Sequence, residues 1–242
     1  MILNKGDHSI LYPFGDFIYR GKLNEEELIW MQDFAERSRE GEDASSGLVG
    51  NIKDQKRGTP KSGNEDTHKF TEIFHTHLVN YYKHQQEKIG LYLENPIEYQ
   101  NHKAQNSPYI KILNNNLDTM RYHLHDGPWF NFMKANEFNP LHAHFGEISA
   151  ICMVKVPDEI ENELNNPDPD KKNFKAAGKL EFVGNDRSDP PYKVVSETGH
   201  VYLFPATMRH QVYPFSCDVE RITCSWNYVD ITMDQKMEIE YG

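Results

Sequence analysis

Between residues 129 and 229 the chain is cut into six short apolar segments separated by turn residues, and no other feature limits its possible folds so strongly. The segments are WFNFMKA (129–135), ISAICMVKV (148–156), GKLEFVG (178–184), GHVYLFP (199–205), HQVYPF (210–215) and RITCSWNYV (221–229). Each is rich in β-branched and aromatic residues, which suit a pleated, half-buried surface. Many short strands without helices between them predict a β-sandwich or barrel.

The first hundred residues read differently. In LNEEELIWMQDFAERSRE, Asn24 is a candidate N-cap with Glu27 three residues on, and Leu28, Met31 and Ala35 share one helical face. A polar, Gly- and Ser-rich stretch over 40–66 reads as loop. A second helix is predicted over 67–90, with Phe70, Phe74, His77 or Leu78, and Tyr81 at helical spacing and a stop at Gly90. The insert at 157–177 is charged, broken by proline and too long for a hairpin, so we read it as a surface excursion, with a lid as the less favoured alternative.

A chain of 242 residues can form one large domain or two small ones, and we expect one, with 1–105 as helical and loop support and 106–232 as the β core. The net charge of −11, without a basic patch, has the wrong sign for gripping phosphates, so nucleic acid is an improbable partner. No signal peptide and no run of ~18 apolar residues is present, so no membrane segment is expected and the cytoplasm is the predicted location. Cys152, Cys217 and Cys224 are too few and too unevenly spaced for a disulfide framework.

Histidine is the unusual count, at 12, and three His-X-His pairs occur. His75 and His77 lie within the predicted second helix, where residues two apart point about 200° from each other, so they cannot share an ion and are expected at the surface or boundary. His123 and His125 run into Asp-Gly-Pro; they can lie on a strand, but a loop or strand end is the favoured assignment, with proximity to substrate left open. His142 and His144 precede the apolar run at 148; on a strand, side chains two apart share a face, so this pair can converge on one metal ion. His210, after the Pro205 turn, is the candidate third ligand. Arg221 stands on an otherwise apolar and small-residue strand, where an inward guanidinium needs an anion and grips a carboxylate bidentately. Thr223 shares its face, and Asn131, on one face with Trp129 and Met133, is a further candidate contact to a bound acid. For Arg221 a plain salt bridge, for Asn131 a satisfied core amide, and for Ser149 and Asn227 ordinary buried hydrogen bonding remain the competing readings.

The order HAH, GKLEF, GHVYLFP, HQVYP, RIT resembles the 2-oxoglutarate and Fe(II)-dependent oxygenases, most closely a bacterial and phage branch with the pattern HxHxGxxS, G-x-L-x-F, FP, H-x-V-x-P and R-x-S/T. The match runs over about 128–229, and the opening LYPFGDFIYRGKLNEEEL is also similar. The resemblance implies a mainly β fold with N-terminal helices, a double-stranded β-helix or jelly roll. It implies Fe(II) held by the first motif and His210, with 2-oxoglutarate as cosubstrate and its 5-carboxylate bound by Arg221. It further implies a dioxygenase that couples decarboxylation to succinate with oxidation, usually hydroxylation, of a small-molecule or peptide substrate.

One departure stands out: the family's usual carboxylate two residues after the first histidine is replaced by His144, and HxD and HxE occur nowhere. Glu147 is the contested fourth candidate, as a ligand or a partner behind the ligands, if Phe145-Gly146 forms a bulge that turns it inward. The assigned metal set is His142, His144 and His210 with Glu147 contested. Two alternatives stay open, a cupin-type three-histidine metalloenzyme that uses no oxo acid and a non-catalytic jelly-roll binding protein.

Overall fold

The computed structural model describes residues 2–13, 16–58, 65–92, 94, 108–165, 176–184, 189–194 and 196–236. Its strands are β1 (Ile2–Asn4), β2 (Ser9–Leu11), β3 (Ile18–Lys22), β4 (Gln55–Arg57), β5 (Arg121–Met133), β6 (Asn139–His142), β7 (Ile148–Lys155), β8 (Leu180–Val183), β9 (Tyr192–Val194), β10 (His200–Pro205), β11 (Arg209–Val212) and β12 (Arg221–Thr232). The helices are α1 (Glu25–Ser38), α2 (Glu65–Tyr92), α3 (Pro108–Leu113) and α4 (Asp158–Asn165). No helix among the described residues is long and apolar enough to cross a membrane.

The strands form an eight-stranded sheet in the order β1-β2-β3-β10-β7-β12-β5-β4 and a four-stranded sheet in the order β6-β11-β8-β9. Between them lie Leu11, Ile18, Ile151, Met153, Tyr202 and Phe204 from the larger sheet and Leu180, Phe182 and Val194 from the smaller one, all buried in one cluster. This is the jelly roll expected from the sequence, with the core between the two inner faces. All six predicted strands form, each within a few residues of its predicted ends except β5, which starts eight residues earlier, at Arg121.

Two compact units divide the chain: Met1–Thr67 with Leu124–Val229, and His68–His123 with Asp230–Gly242. The first contains the sandwich, and its larger sheet includes β1 to β4 from the segment assigned to helical and loop support. Those strands are three to five residues long and partly polar, too short for alternation to show. In α1 the Asn24 side chain accepts from the Glu27 N–H while the Glu27 carboxylate accepts from the Asn24 N–H, each at 2.9 Å, so the expected capping box is complete. The helix buries Met31, Phe34 and Ala35, the Phe34 ring stands edge-on to Phe130 at 5.2 Å, and Gln32 donates to the Val154 carbonyl at 3.2 Å. With α1 on one side and the core on the other, β7 is buried on both faces, which is why ISAICMVK is a continuous apolar run.

The insert at 157–177 is described in part. Residues 158–165 are α4, whose Ile160 packs with Phe215, Ala177, Ile52 and Met133, while Glu163 accepts from the Ser216 N–H and hydroxyl and from the Cys217 N–H. That half of the insert is anchored and not a free flap. Residues 166–175 lie outside the described residues.

Within the second unit, α2 is helical as expected, but His77 is buried and only His75 sits at the boundary, its ring 5.9 Å from that of Tyr122. His77 falls on the same stripe as Phe70, Phe74 and Tyr81, so helical phase overrides its polarity. The helix α3 was not anticipated. The Gln86 side chain donates at 2.9 Å to the carbonyls of Ile112 and Asn115, capping α3 from outside its own sequence.

Candidate metal centre

Strands β6 and β11 pair with His142 directly opposite His210. Cross-strand partners in an antiparallel pair bring their Cβ atoms to about 5 Å, and here the two ring centroids are 4.3 Å apart. His144 lies just past the end of β6, where its N–H donates to the Ala206 carbonyl at 2.9 Å. Its ring stands 4.8 Å from that of His142 and 5.1 Å from that of His210. The pair therefore converges as expected, through a turn held by β10's end and not through the strand pleat alone.

One nitrogen from each of His142, His144 and His210 lies within 4.8 Å of the others, the one such group among the described residues. The Nδ1 atoms of His142 and His210 sit 2.7 Å from the Pro140 carbonyl and 3.0 Å from the Met208 carbonyl. A carbonyl only accepts, so both Nδ1 atoms carry hydrogen and both Nε2 atoms keep a free lone pair. Burial pushes all three imidazoles toward the neutral form that binds metals: His144 falls to about 4, with the neighbouring His142 adding to the effect, His210 falls well below its usual value, and His142 is lowered despite its bond to Pro140. Bonds of ~2.1 Å to one ion hold two nitrogens at most ~4.2 Å apart, so closing the widest pair takes a small side-chain rotation. A three-nitrogen donor set of this kind suits iron, zinc, copper or nickel.

The same cavity, of about 100 Å³, is also lined by Arg221. Along β12 the pleat directs Arg221, Thr223 and Ser225 to the cavity. The guanidinium is 2% exposed, donates only to the sulfurs of Met133 (3.6 Å) and Met153 (3.4 Å), and leaves its Nε–H without a partner. Burial draws its pKa down to about 10, so it stays charged at neutral pH. No carboxylate lines the cavity among the described residues. A buried cation without an anion costs several kcal/mol, and no described residue supplies the anion that would offset this.

Asn131 and Thr223 lie together on the cavity wall, the Asn131 amide donating to the Thr223 hydroxyl at 3.3 Å. Behind them Gln55, from β4, donates to the Asn131 carbonyl oxygen at 2.7 Å, and its own Oε1 is buried without a partner. Gln55 escaped the sequence reading because Gln-Lys-Arg within a polar stretch carries no strand signal.

The structure does not bring Glu147 into the group. Gly146 does adopt a left-handed turn, at φ +120, but the Glu147 side chain is exposed, since its own N–H is tied to the Tyr228 carbonyl and its carbonyl to the Ala206 N–H. His123 and His125 belong to β5, near its start. His125 lies edge-on to Phe145 at 5.4 Å, close to the cavity mouth, while His123 lines no cavity described here. Ser149 is buried and donates to the Asn227 side-chain oxygen at 2.7 Å, a side-chain partner and not the backbone one that the simpler account of a buried serine assigns.

Residues 127–227 match a family model described as "Putative 2OG-Fe(II) oxygenase". No curated protein matches the chain. Among solved structures, a prolyl-4-hydroxylase from Pseudomonas putida is similar over 89% of this chain and 93% of its own, at 11% identity and a TM-score of 0.50. A prolyl hydroxylase from Trichoplax adhaerens, solved in complex with a hypoxia inducible factor oxygen degradation domain peptide fragment, is similar over 88% of this chain and 83% of its own, at 10% identity and a TM-score of 0.51. At such identities the likeness speaks for the fold, and the fold is the double-stranded β-helix of the 2-oxoglutarate oxygenases. The segment 127–227, which carries all three imidazoles and the buried guanidinium, is thus similar to the 2OG-Fe(II) oxygenases in sequence, as the whole chain is in fold.

Proposed function

We propose that His142, His144 and His210 hold Fe(II), that Arg221 binds the distal carboxylate of 2-oxoglutarate, and that the protein oxidises a small-molecule or peptide substrate at this site. The observation that carries the proposal is the guanidinium: fully buried, charged, facing a cavity it shares with three neutral imidazoles, and paired with sulfur in place of any carboxylate. The residues suit the cofactor, because the imidazoles offer lone pairs and the cavity offers one deep cationic anchor.

Bound Fe(II) and 2-oxoglutarate supply an oxidation coupled to decarboxylation to succinate. The chain's part is placement. Arg221 fixes one end of a dicarboxylate by a charge-assisted, bidentate contact. Thr223 and Asn131, held in line by Gln55, add hydrogen bonds along the wall. The Pro140 and Met208 carbonyls orient two of the imidazoles. Trp129, Ile151 and Val212 line the cavity with apolar surface, which keeps water from the reacting atoms.

The test is substrate-free turnover: purified protein with Fe(II), ascorbate and 2-oxoglutarate is expected to form succinate, and His210→Ala to abolish it. No metal binding together with no succinate would end the proposal. The all-histidine donor set, with Glu147 outside it, favours one other reading, a cupin-type three-histidine enzyme that needs no oxo acid. Arg221 separates the two, since only the oxygenase requires it for cosubstrate.

A further inference from the structure

A second chamber of about 230 Å³ opens in front of the histidine group, and its walls include Leu48, Trp129, His144, Phe145 and Asn227. Trp129 and His144 line both chambers, so an occupant of the outer one rests against the imidazole cluster. We propose that this outer chamber is the subsite for the primary substrate and that it takes an uncharged aromatic ring, an inference that rests on the oxygenase reading for the fate of the ring once it is bound.

Phe145 carries the first part of the case. It is 76% exposed, a position that leaves unrealised the roughly 2–3 kcal/mol that burying such a side chain contributes. Nor is it a loose loop residue. The His144 N–H donates to Ala206 and the Glu147 N–H to Tyr228, both at 2.9 Å, and the Ala206 N–H donates to Glu147 at 3.0 Å. Between them Gly146 sits at φ +120, where a Cβ would come within 3.0 Å of the Tyr228 carbonyl. The turn is locked on both sides, so Phe145 is held out over the mouth as a rigid apolar surface. Leu48 lines both chambers, and Val49, which lines the inner one, is 60% exposed.

Charge carries the second part. Among the described residues no Asp or Glu lines either chamber. Arg57 is the one permanently charged side chain on the outer wall among the described residues. A lysyl or arginyl group entering here meets the Arg57 cation and no carboxylate among the described lining residues. A polyol finds few partners for its hydroxyls, because apart from Arg57, Asn227 and the His125 and His144 rings the described outer wall offers mainly apolar surface. A flat apolar ring stacks or packs edge-on against Trp129 and Phe145 and asks for neither.

The experiment is ligand-detected saturation-transfer NMR on the metal-free protein, with benzamide, N-acetylphenylalaninamide, N-acetyllysinamide and methyl glucoside as probes. Both ring probes are expected to bind and the lysine and sugar probes to give no signal; the tighter of the two ring probes tells a free ring from one carried on a peptide. Phe145→Ala, which removes no core contact, weakens the ring probes about tenfold. Phe145→Tyr retains them, and Leu48→Asp weakens them while recruiting the lysine probe. Equal binding of the lysine probe by the native chain, or ring binding indifferent to Phe145→Ala in a protein of native circular dichroism, overturns the assignment. Because no metal or turnover is involved, succinate formation without ring binding removes only the chamber, and ring binding without succinate formation removes only the oxygenase.

Discussion

Strand β12 buries its two faces almost equally and uses them in opposite ways. Arg221, Thr223, Ser225 and Asn227 point one way and Ile222, Cys224, Trp226 and Tyr228 the other, and none of the eight is more than 8% exposed. A two-residue period explains the separation but not the chemistry. Apolar side chains need only neighbours to pack against, whereas a buried guanidinium needs a partner that this strand's surroundings do not include. Burial is set by the strand's central place in the sheet; the polar face is the one that a ligand completes.

That contrast makes the largest prediction one of stability. Trp226→Ala deletes a fully buried side chain from the packing face and should cost ~3–5 kcal/mol in urea unfolding. A loss under ~1 kcal/mol would mean that the face is not packed as described.

Arg221→Met should do the reverse on the other face. Removing an unpaired buried cation is expected to raise the melting temperature of the metal-free protein by a few degrees. At the same time 2-oxoglutarate affinity should fall about a hundredfold or more, from the ~2–5 kcal/mol that losing one partner of a desolvated charge pair costs. Calorimetric titration beside a thermal melt reads both; a falling melting temperature would make Arg221 a structural residue. A smaller step is Thr223→Val, which keeps shape and removes the hydroxyl that Asn131 donates to. The expected loss is ~1 kcal/mol, seen as a several-fold rise in KM for 2-oxoglutarate with kcat little changed. An unaltered KM would detach the Asn131–Thr223 pair from the cosubstrate.

Much of this contrast was legible in the sequence. The six core strands announced themselves because buried strands are rich in β-branched and aromatic residues, and Arg221 stood out because a charge in such a run demands an explanation. The convergence of His142, His144 and His210 followed from spacing and from family likeness together. What could not be read was set by contacts distant in sequence. Gln55 reaches the cavity only because β4 pairs with β5, placing it opposite Asn131. His77 is buried because its helical phase places it among aromatic residues. The placing of Glu147 turned on a turn geometry that two residue names, Phe and Gly, do not specify.

Glu147 supplies the smallest expected effect and the sharpest test of the donor set. If charge at the metal came from this carboxylate, Glu147→Gln would strip iron from the protein, because a neutral amide is a far weaker ligand than a carboxylate. The side chain is exposed and its backbone is tied to Tyr228 and Ala206, so turning it inward would break two hydrogen bonds that also hold His144 and Phe145 in place. The expected change in iron affinity and in succinate formation is therefore less than about twofold, the scale of a screened surface charge. Iron content measured after dialysis against a graded chelator would decide the matter. A clear loss of iron in Glu147→Gln would mean that the turn reorganises around the metal, and that three imidazoles alone are not the donor set.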